Sequence, residues 1–164
     1  IVFSDERSGL LDTGGGIVKA RPRRGSVAGY LLNADSFWFE GARPNLEWLS
    51  ASWRDGDMDA LLLVAPTVRT VGYQGGGDFR MDPAGRLVRR PEREVVPFVC
   101  AGAAILHPRL FESAPSGPFS LNLLCNNSRE AVRRGGGRLD GLWFHVGTPD
   151  AIGEAEMTIA DSEA

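Results

Sequence analysis

A glycine-rich turn, Asp12-Thr13-Gly14-Gly15-Gly16, is the first stretch whose residue types could support chemistry, and it precedes the helical pattern Ile17-Val18-Lys19-Ala20. Glycines before a helix let backbone amides approach an anion or a flat ring, and the helix dipole favours that contact. The spacing differs from the GxxxxGK[ST] phosphate loop and from the GxGxxG fingerprint. Both a ligand contact and a tight helix-entry turn stay open.

A carboxylate follows a buried-strand pattern at the second candidate, Asn33-Ala34-Asp35. Asp35 at a strand end is well placed to hold Mg²⁺, which takes one or two carboxylates together with substrate phosphates. An aspartate that only caps a turn is the alternative.

His145 is the third candidate, in the stretch Trp143-Phe144-His145-Val146-Gly147-Thr148-Pro149. An imidazole at a strand end either contacts a metal or ligand or serves as a hydrogen-bonded structural residue. His107 has no carboxylate or nucleophile close to it in sequence and is expected to be structural. The sequence contains no GxSxG or HExxH motif, so hydrolase and metalloprotease functions lack support.

Length and composition fit a single globular domain, expected over residues 1–164, with 43% apolar and 24% charged residues. A formal net charge of −3 argues against nucleic acid as the main partner. No apolar stretch approaches the ~18 residues of a membrane span, so no membrane partner is expected. Cys100 and Cys125 lack CxxC partners, and no signal peptide precedes them. Reduced thiols and a cytoplasmic location are therefore predicted.

Apolar runs alternate with helical patterns along the chain. Strands are predicted over 27–34, 59–65, 97–106 and 142–146, with a hairpin over 79–88 around its Asp82-Pro83-Ala84-Gly85 turn. Helices are predicted after Gly16, over 45–53 with Asn45 as the cap, over 122–134 with Gly135 closing it, and from Pro149. Three Gly-Gly-Gly triplets have unrelated flanks, which rejects an internal repeat.

Continuous apolar strands separated by helices predict an α/β fold whose mostly parallel central sheet is covered on both faces. In such sheets, ligands bind beyond the carboxyl ends of the strands.

The three motifs and the apolar run at 97–106 occur in an order that resembles the sugar-1-phosphate nucleotidyltransferases, over essentially the whole chain. The branch with the best match acts on N-acetylmuramate 1-phosphate in cell-wall peptidoglycan recycling. The resemblance implies a three-layer Rossmann-like domain and nucleotidyl transfer from a nucleoside triphosphate, UTP in that branch, to a sugar 1-phosphate. Pyrophosphate leaves, and Mg²⁺ neutralises charge. A mannose-1-phosphate guanylyltransferase and a non-catalytic nucleotide- or sugar-binding module are the alternatives.

The resemblance also implies roles for individual residues. Asp35 would be the catalytic residue that holds Mg²⁺. His145 stands where many relatives have a second, aspartate metal ligand, and Cys100 stands where a tyrosine is expected. The other implied contacts are Gly14, Gly15 and Gly16 with the nucleotide, and Asn33, Gly77, Glu94 and Gly102 with the sugar phosphate.

The family's signature loop, GxGxRxxP followed by a Lys-Pro pair, belongs before Ile1 in such enzymes and is absent from this sequence. We therefore expect a domain without its first strand–helix units, incomplete at its N-terminus and inactive as this chain alone. A monomer or a weak homo-oligomer is expected.

Overall fold

The computed structural model describes residues 1–23, 25–125 and 133–162. None of the helices in these ranges is both long and apolar enough to cross a membrane. The helices are α1 (Asp12–Ala20), α2 (Asn45–Ser52), α3 (Leu121–Cys125) and α4 (Pro149–Ser162). The strands are β1 (Gly29–Leu32), β2 (Ser36–Glu40), β3 (Ala60–Pro66), β4 (Thr70–Val71), β5 (Phe79–Met81), β6 (Leu87–Arg89), β7 (Phe98–Leu106), β8 (Arg134–Arg138) and β9 (Gly141–His145).

β7 is the central strand of a six-stranded sheet. β3 pairs along one edge of β7, while the other edge is shared by β5, at Phe98, and β1, over residues 103–106. β6 extends the sheet beyond β5, and β8 pairs with the free edge of β3. Between β5 and β1, residues 99–102 of β7 have no partner on that edge among the described strands. The gap forms a crevice in the sheet.

The α/β class with a central sheet is confirmed, but the pairing departs from the predicted mostly parallel arrangement. Among the described strands of this sheet, only β3 and β8 pair in parallel. β3 and β7 are joined through the β5–β6 hairpin rather than a crossover helix, so β7 returns antiparallel to β3. β1 and β3 both run antiparallel to β7 and therefore point in the same direction.

Helices cover both faces of the sheet, as predicted for a three-layer domain. The continuous apolar run of β3 explains this, because its alternate side chains enter two different cores. Leu62 and Val64 pack with Ile17 of α1 on one face, and Leu63 packs with Leu49 of α2 on the other.

A second, three-stranded sheet has the order β2-β9-β4. β2 and β9 pair antiparallel, with Phe37 opposite Phe144, and these two rings stack with centroids 4.7 Å apart. The sequence analysis predicted β9 but missed β2 and β4. The consequence for the site is that β9 ends beside the loop that joins β1 to β2.

The predicted helix over 122–134 is confirmed at its start and wrong at its end. α3 ends at Cys125, residues 126–132 lie outside the described part of the chain, and Arg134 begins β8 rather than ending a helix. The glycines that were expected to close the helix lie inside this strand. A Cβ on Gly136 would meet Leu87 Cδ2 at 2.4 Å, and one on Gly137 would meet the Trp48 ring at 2.1 Å. Close packing across β8 therefore accounts for the glycines.

Asn45 does not cap α2, contrary to the prediction. It is the first helical residue, it is fully buried, and Pro44 occupies the cap position without a side-chain hydrogen bond. The Asn45 side chain instead binds the Asp140 backbone, donating to its carbonyl and accepting from its N–H, each at 2.8 Å. A tertiary contact has replaced the local one, and it ties α2 to the β8–β9 turn.

Candidate functional site

The crevice in the sheet is closed at one end by the loop between β1 and β2. The Asn33 N–H donates to the Gly102 carbonyl at 2.7 Å, and the Asp35 carbonyl accepts from the Val146 N–H at 2.8 Å. The loop is thus attached to β7 on one side and to the segment after β9 on the other. These two bonds place Asn33 and Asp35 at the carboxyl end of β1, where the sequence analysis expected them.

Gly102 allows this loop to lie against β7. Its φ of +77° falls in the left-handed region that favours glycine. A Cβ at this position would lie 2.3 Å from Ser36 Oγ and 3.0 Å from Asn33 Cβ. A larger residue would therefore displace Asn33, so the structure brings these two sequence-predicted residues into direct contact.

Asp35 and His145 border the same space beside Gly147. Ser36 is paired with His145 across β2 and β9, which sets Asp35 next to the end of β9. A Cβ on Gly147 would lie 2.9 Å from His145 Nε2 and 3.6 Å from Asp35 Oδ2. Within the described ranges, neither of the two side chains has a hydrogen-bond partner. A carboxylate and an imidazole are thus both available to a ligand.

Two aromatic residues, Trp143 and Tyr73, pack behind the imidazole of His145. The His145 ring stacks on Trp143, with centroids 5.9 Å apart, and Trp143 Nε1 donates to the Ala101 carbonyl at 3.0 Å. Tyr73 packs edge-on against the same indole. Burial raises the pKa of the Tyr73 phenol, whose oxygen accepts the Gly77 N–H at 3.0 Å. The ring of His145 is therefore held on a rigid platform.

A cavity of about 130 Å³ lies between these groups, and Asn33, Asp35, Gly102 and His145 all line it. The sequence analysis did not assign Ser36 or Tyr73, which line it as well. The sequence offered a signal for Ser36, which directly follows Asp35. It offered none for Tyr73, which reaches the cavity because β4 pairs with β9.

A scan against protein-family models found no match. Among curated proteins, the chain is 35% identical to the N-acetylmuramate alpha-1-phosphate uridylyltransferase of Caulobacter vibrioides. That alignment covers 162 residues, which are 99% of this chain and 67% of the relative. The chain belongs to the sugar-1-phosphate nucleotidyltransferase family.

Solved structures share the fold of this nucleotidyltransferase chain. HddC from Yersinia pseudotuberculosis, in a complex with GMP-PN, superposes with a TM-score of 0.65 at 18% identity, over 90% of this chain and 63% of that one. A UDP-glucose pyrophosphorylase complexed with UDP-glucose gives 0.69 at 15% identity, over 93% and 63%. The chain thus spans less than two thirds of the length of these two structures.

The side chains at the cavity of the nucleotidyltransferase chain include donors suited to Mg²⁺. No cluster of three or more histidine, cysteine, aspartate or glutamate side chains forms among the described residues. Mg²⁺ does not need such a cage, because it binds through one or two carboxylates, water and substrate phosphates. Asp35 supplies the preferred oxygen donor and His145 a weaker nitrogen donor, so the residues fit the ion.

Two residues expected in the sugar pocket of this nucleotidyltransferase lie at different distances from the cavity. Gly77 is one hydrogen bond away, through Tyr73, and its φ of +80° together with a Cβ position 2.1 Å from the Val96 carbonyl requires glycine. Glu94 is exposed, forms an ion pair with Arg80, and does not line the cavity. The structure therefore brings Gly77 near the site and leaves Glu94 at the surface.

Gly14, Gly15 and Gly16 lie inside α1, which begins at Asp12, and not before the helix as predicted. The N–H groups of Gly14 and Gly15 donate to the Phe119 carbonyl, and a Cβ on Gly14 would meet the Phe119 ring at 2.3 Å. Packing against residues 117–119 thus accounts for two of the glycines. Gly16 borders a cavity of about 690 Å³ between α1 and β1.

Proposed function

We propose that the protein containing this chain transfers a nucleotidyl group from UTP to a sugar 1-phosphate, N-acetylmuramate 1-phosphate being the first candidate, and releases pyrophosphate. The observation that carries the proposal is the meeting of Asp35, His145 and Asn33 at one cavity in a member of this family. The Caulobacter relative, named for this reaction, supports the choice of substrates.

The proposed reaction needs no nucleophilic side chain. An oxygen of the sugar phosphate attacks the α-phosphorus of the nucleotide and forms a new P–O bond. The bond from that phosphorus to the bridging oxygen breaks, and pyrophosphate leaves with the electron pair. Catalysis then rests on positioning the two substrates in line and on neutralising the phosphate charges.

Asp35 and His145 would hold Mg²⁺ against the phosphates in this proposal. A bound Mg²⁺ withdraws charge from the phosphate oxygens and stabilises the leaving group. The contribution of the chain is to fix the two donors. The Asp35 backbone is bound to Val146, and the His145 ring lies on Trp143, so both donors are pre-positioned before any ligand arrives.

The remaining site residues are proposed to bind the substrates. Asn33 and Gly102 line the cavity where the sugar would lie, and Gly77 contacts it through Tyr73. Glu94 would need to turn from Arg80 to reach it. For the nucleotide we propose the α1 side of the crevice. Gly14, Gly15 and Gly16 lie near the start of that helix, Gly16 borders the cavity between α1 and β1, and the positive end of the helix favours an anion.

Asp35→Asn is the decisive variant. In the protein expressed from its full reading frame, pyrophosphate release from UTP and N-acetylmuramate 1-phosphate should fall ~100-fold or more, because an amide replaces the charged metal ligand. Asp57→Asn is the matched control, since Asp57 is exposed and, among the described residues, forms an ion pair only with Arg54. Near-normal release by Asp35→Asn would refute the metal assignment.

The same assay separates the alternatives. Replacing UTP by GTP and supplying mannose 1-phosphate tests the guanylyltransferase alternative. Nucleotide binding without pyrophosphate release from any sugar phosphate would instead favour a binding module and refute the enzyme. We expect the 164-residue chain alone to be inactive, because the family's signature loop is absent from it.

We further propose that residues 1–164 form one domain, that the protein works in the cytoplasm with reduced thiols, and that it is a monomer or a weak homo-oligomer. The chemistry supports the location, because nucleoside triphosphates and sugar phosphates are cytoplasmic metabolites. Light scattering of the purified protein at several concentrations measures the oligomeric state, and a stable larger assembly would contradict this prediction.

A further inference from the structure

A second cavity, of about 180 Å³, continues the crevice from the Asp35 side toward the β5–β6 hairpin. It shares Asn33, Cys100 and Gly102 with the first cavity, so the two adjoin. Its inner wall is apolar and is formed by Leu31, Leu62, Ala104 and Leu106. At ~30 Å³ for a water-sized group, the cavity has room for about six non-hydrogen groups, the size of a substituent on a sugar ring.

Arg89 supplies the cationic group that lines this cavity. It is the last residue of β6 and pairs with Phe79 of β5, and its guanidinium lies over the Phe79 ring, 5.2 Å from the centroid. Arg89 Nη1 donates to Asn122 Oδ1 at 3.3 Å. The Phe79 ring, the Asn122 side-chain amide and the position of Arg89 at the end of β6 together hold the guanidinium at the cavity.

Asp78 lies beside Arg89 and attracts it by charge, but it accepts no hydrogen bond from the guanidinium. Asp78 Oδ2 accepts the Cys100 N–H at 3.0 Å, and Oδ1 lies 3.7 Å from Arg89 Nη1, beyond hydrogen-bond distance. Among the described residues, Nε and Nη2 of Arg89 have no hydrogen-bond partner. A guanidinium has five N–H donors, so most of them stay available to an acceptor in the cavity.

An apolar wall next to a fixed guanidinium matches a substituent that combines carbon atoms with a carboxylate. Resting on the proposed function, we propose that Arg89, assisted by Asn122, recognises a carboxylate on the sugar 1-phosphate and selects acidic sugars over neutral ones. The phosphate of the same substrate lies toward Asp35, so the two anionic groups of one sugar occupy the two adjoining cavities. Arginine suits this role because its planar donors match the two oxygens of a carboxylate.

The test compares two substrates that differ in one substituent. N-acetylmuramate 1-phosphate carries a carboxyalkyl ether, and N-acetylglucosamine 1-phosphate has a hydroxyl at that position. With the protein from the full reading frame, we expect Arg89→Gln to raise the KM for the acidic sugar ~10- to 100-fold and to leave kcat and the neutral sugar nearly unchanged. Arg89→Lys, which keeps the charge, should lose less of the preference.

Arg86→Gln is the matched control, because Arg86 lies on the same hairpin and pairs with Asp82 away from the cavity. Its ratio of the two KM values should equal that of the wild type. Melting curves of each variant identify a folding defect, in which case Arg89→Lys carries the test.

Two failures are distinguishable. In the first, the wild type releases pyrophosphate while both Arg89 variants keep the wild-type ratio of the KM values for the acidic and the neutral sugar. In that case the assignment of Arg89 is overturned and the proposed function stands. If no sugar phosphate supports release with any nucleotide, the proposed function itself fails, and this inference fails with it.

Discussion

Replacing Gly102 by alanine disturbs the close contact between β7 and the loop that carries Asn33 and Asp35. Three effects lower the free energy of unfolding. At a φ of +77° an alanine costs about 1–2 kcal/mol relative to glycine. The new Cβ would lie 2.3 Å from Ser36 Oγ, so the hydroxyl must turn and lose its 3.2 Å hydrogen bond to the Ala101 carbonyl, at a cost of about 1 kcal/mol. Asn33 Cβ, 3.0 Å away, must also shift. The first two contributions sum to a loss of about 2–3 kcal/mol of unfolding free energy, to which the shift of Asn33 adds.

Urea denaturation of the full-length protein measures this loss, and Gly85→Ala is the matched control. Gly85 has nearly the same φ, +78°, but a Cβ there would meet only the Gly136 carbonyl at 3.6 Å, an ordinary contact. Gly85→Ala therefore reports the backbone strain alone, about 1–2 kcal/mol. The difference between the two variants isolates the collision with the loop that carries Asn33.

Ser36→Ala alone should cost about 1 kcal/mol, but adding it to Gly102→Ala should cost much less, because the collision has already broken the Ser36 hydrogen bond. Gly102→Ala should also raise the KM for the sugar phosphate, because Asn33 moves. The reasoning is refuted if Gly102→Ala is no less stable than Gly85→Ala, since the close approach of the β1–β2 loop to β7 would then contribute nothing.

Two further predictions concern the metal donor and a buried ion pair. His145→Asp should lower the Mg²⁺ concentration that gives half-maximal pyrophosphate release, because a carboxylate is the harder ligand; an unchanged or higher requirement would contradict the assignment. Burial raises the pKa of Asp59, but hydrogen bonds from Arg109 and Arg133 outweigh it and leave that pKa below its usual value. Asp59→Asn should therefore cost about 2–3 kcal/mol at pH 7, a difference that is complete above pH ~3.9 and disappears as the pH falls through the lower folded-state pKa. Denaturation at pH 7 and pH 3 measures it, and equal differences at the two pH values would disprove the linkage.

The long apolar strands were predictable because their signal is local. β3 and β7 are each a continuous apolar run bounded by polar residues or proline, and the β5–β6 hairpin is marked by its Asp82-Pro83-Ala84-Gly85 turn. α4 begins at Pro149, where the first turn of a helix tolerates proline. In each case the residues that define the element lie within it.

The glycine triplet at 135–137 shows where local reasoning fails. Glycine ends helices, so the triplet predicted a helix end, yet in β8 the same residues make room for Leu61, Leu87 and Trp48. The partners come from distant parts of the chain. Asn45 failed as a predicted cap for the same reason, because Asp140 binds its side chain.

The sequence by itself determined the α/β class, the family and the order of the motifs, because residue types and their spacing carry that information. It also placed Asn33 and Asp35 at the end of a strand. Only the tertiary structure decided that β7 runs antiparallel to β3, that β1 and β5 leave part of its edge free, and that Arg89 and Asp78 line the resulting crevice. Strand pairing joins residues far apart in sequence, and its register is fixed by packing that no single segment encodes.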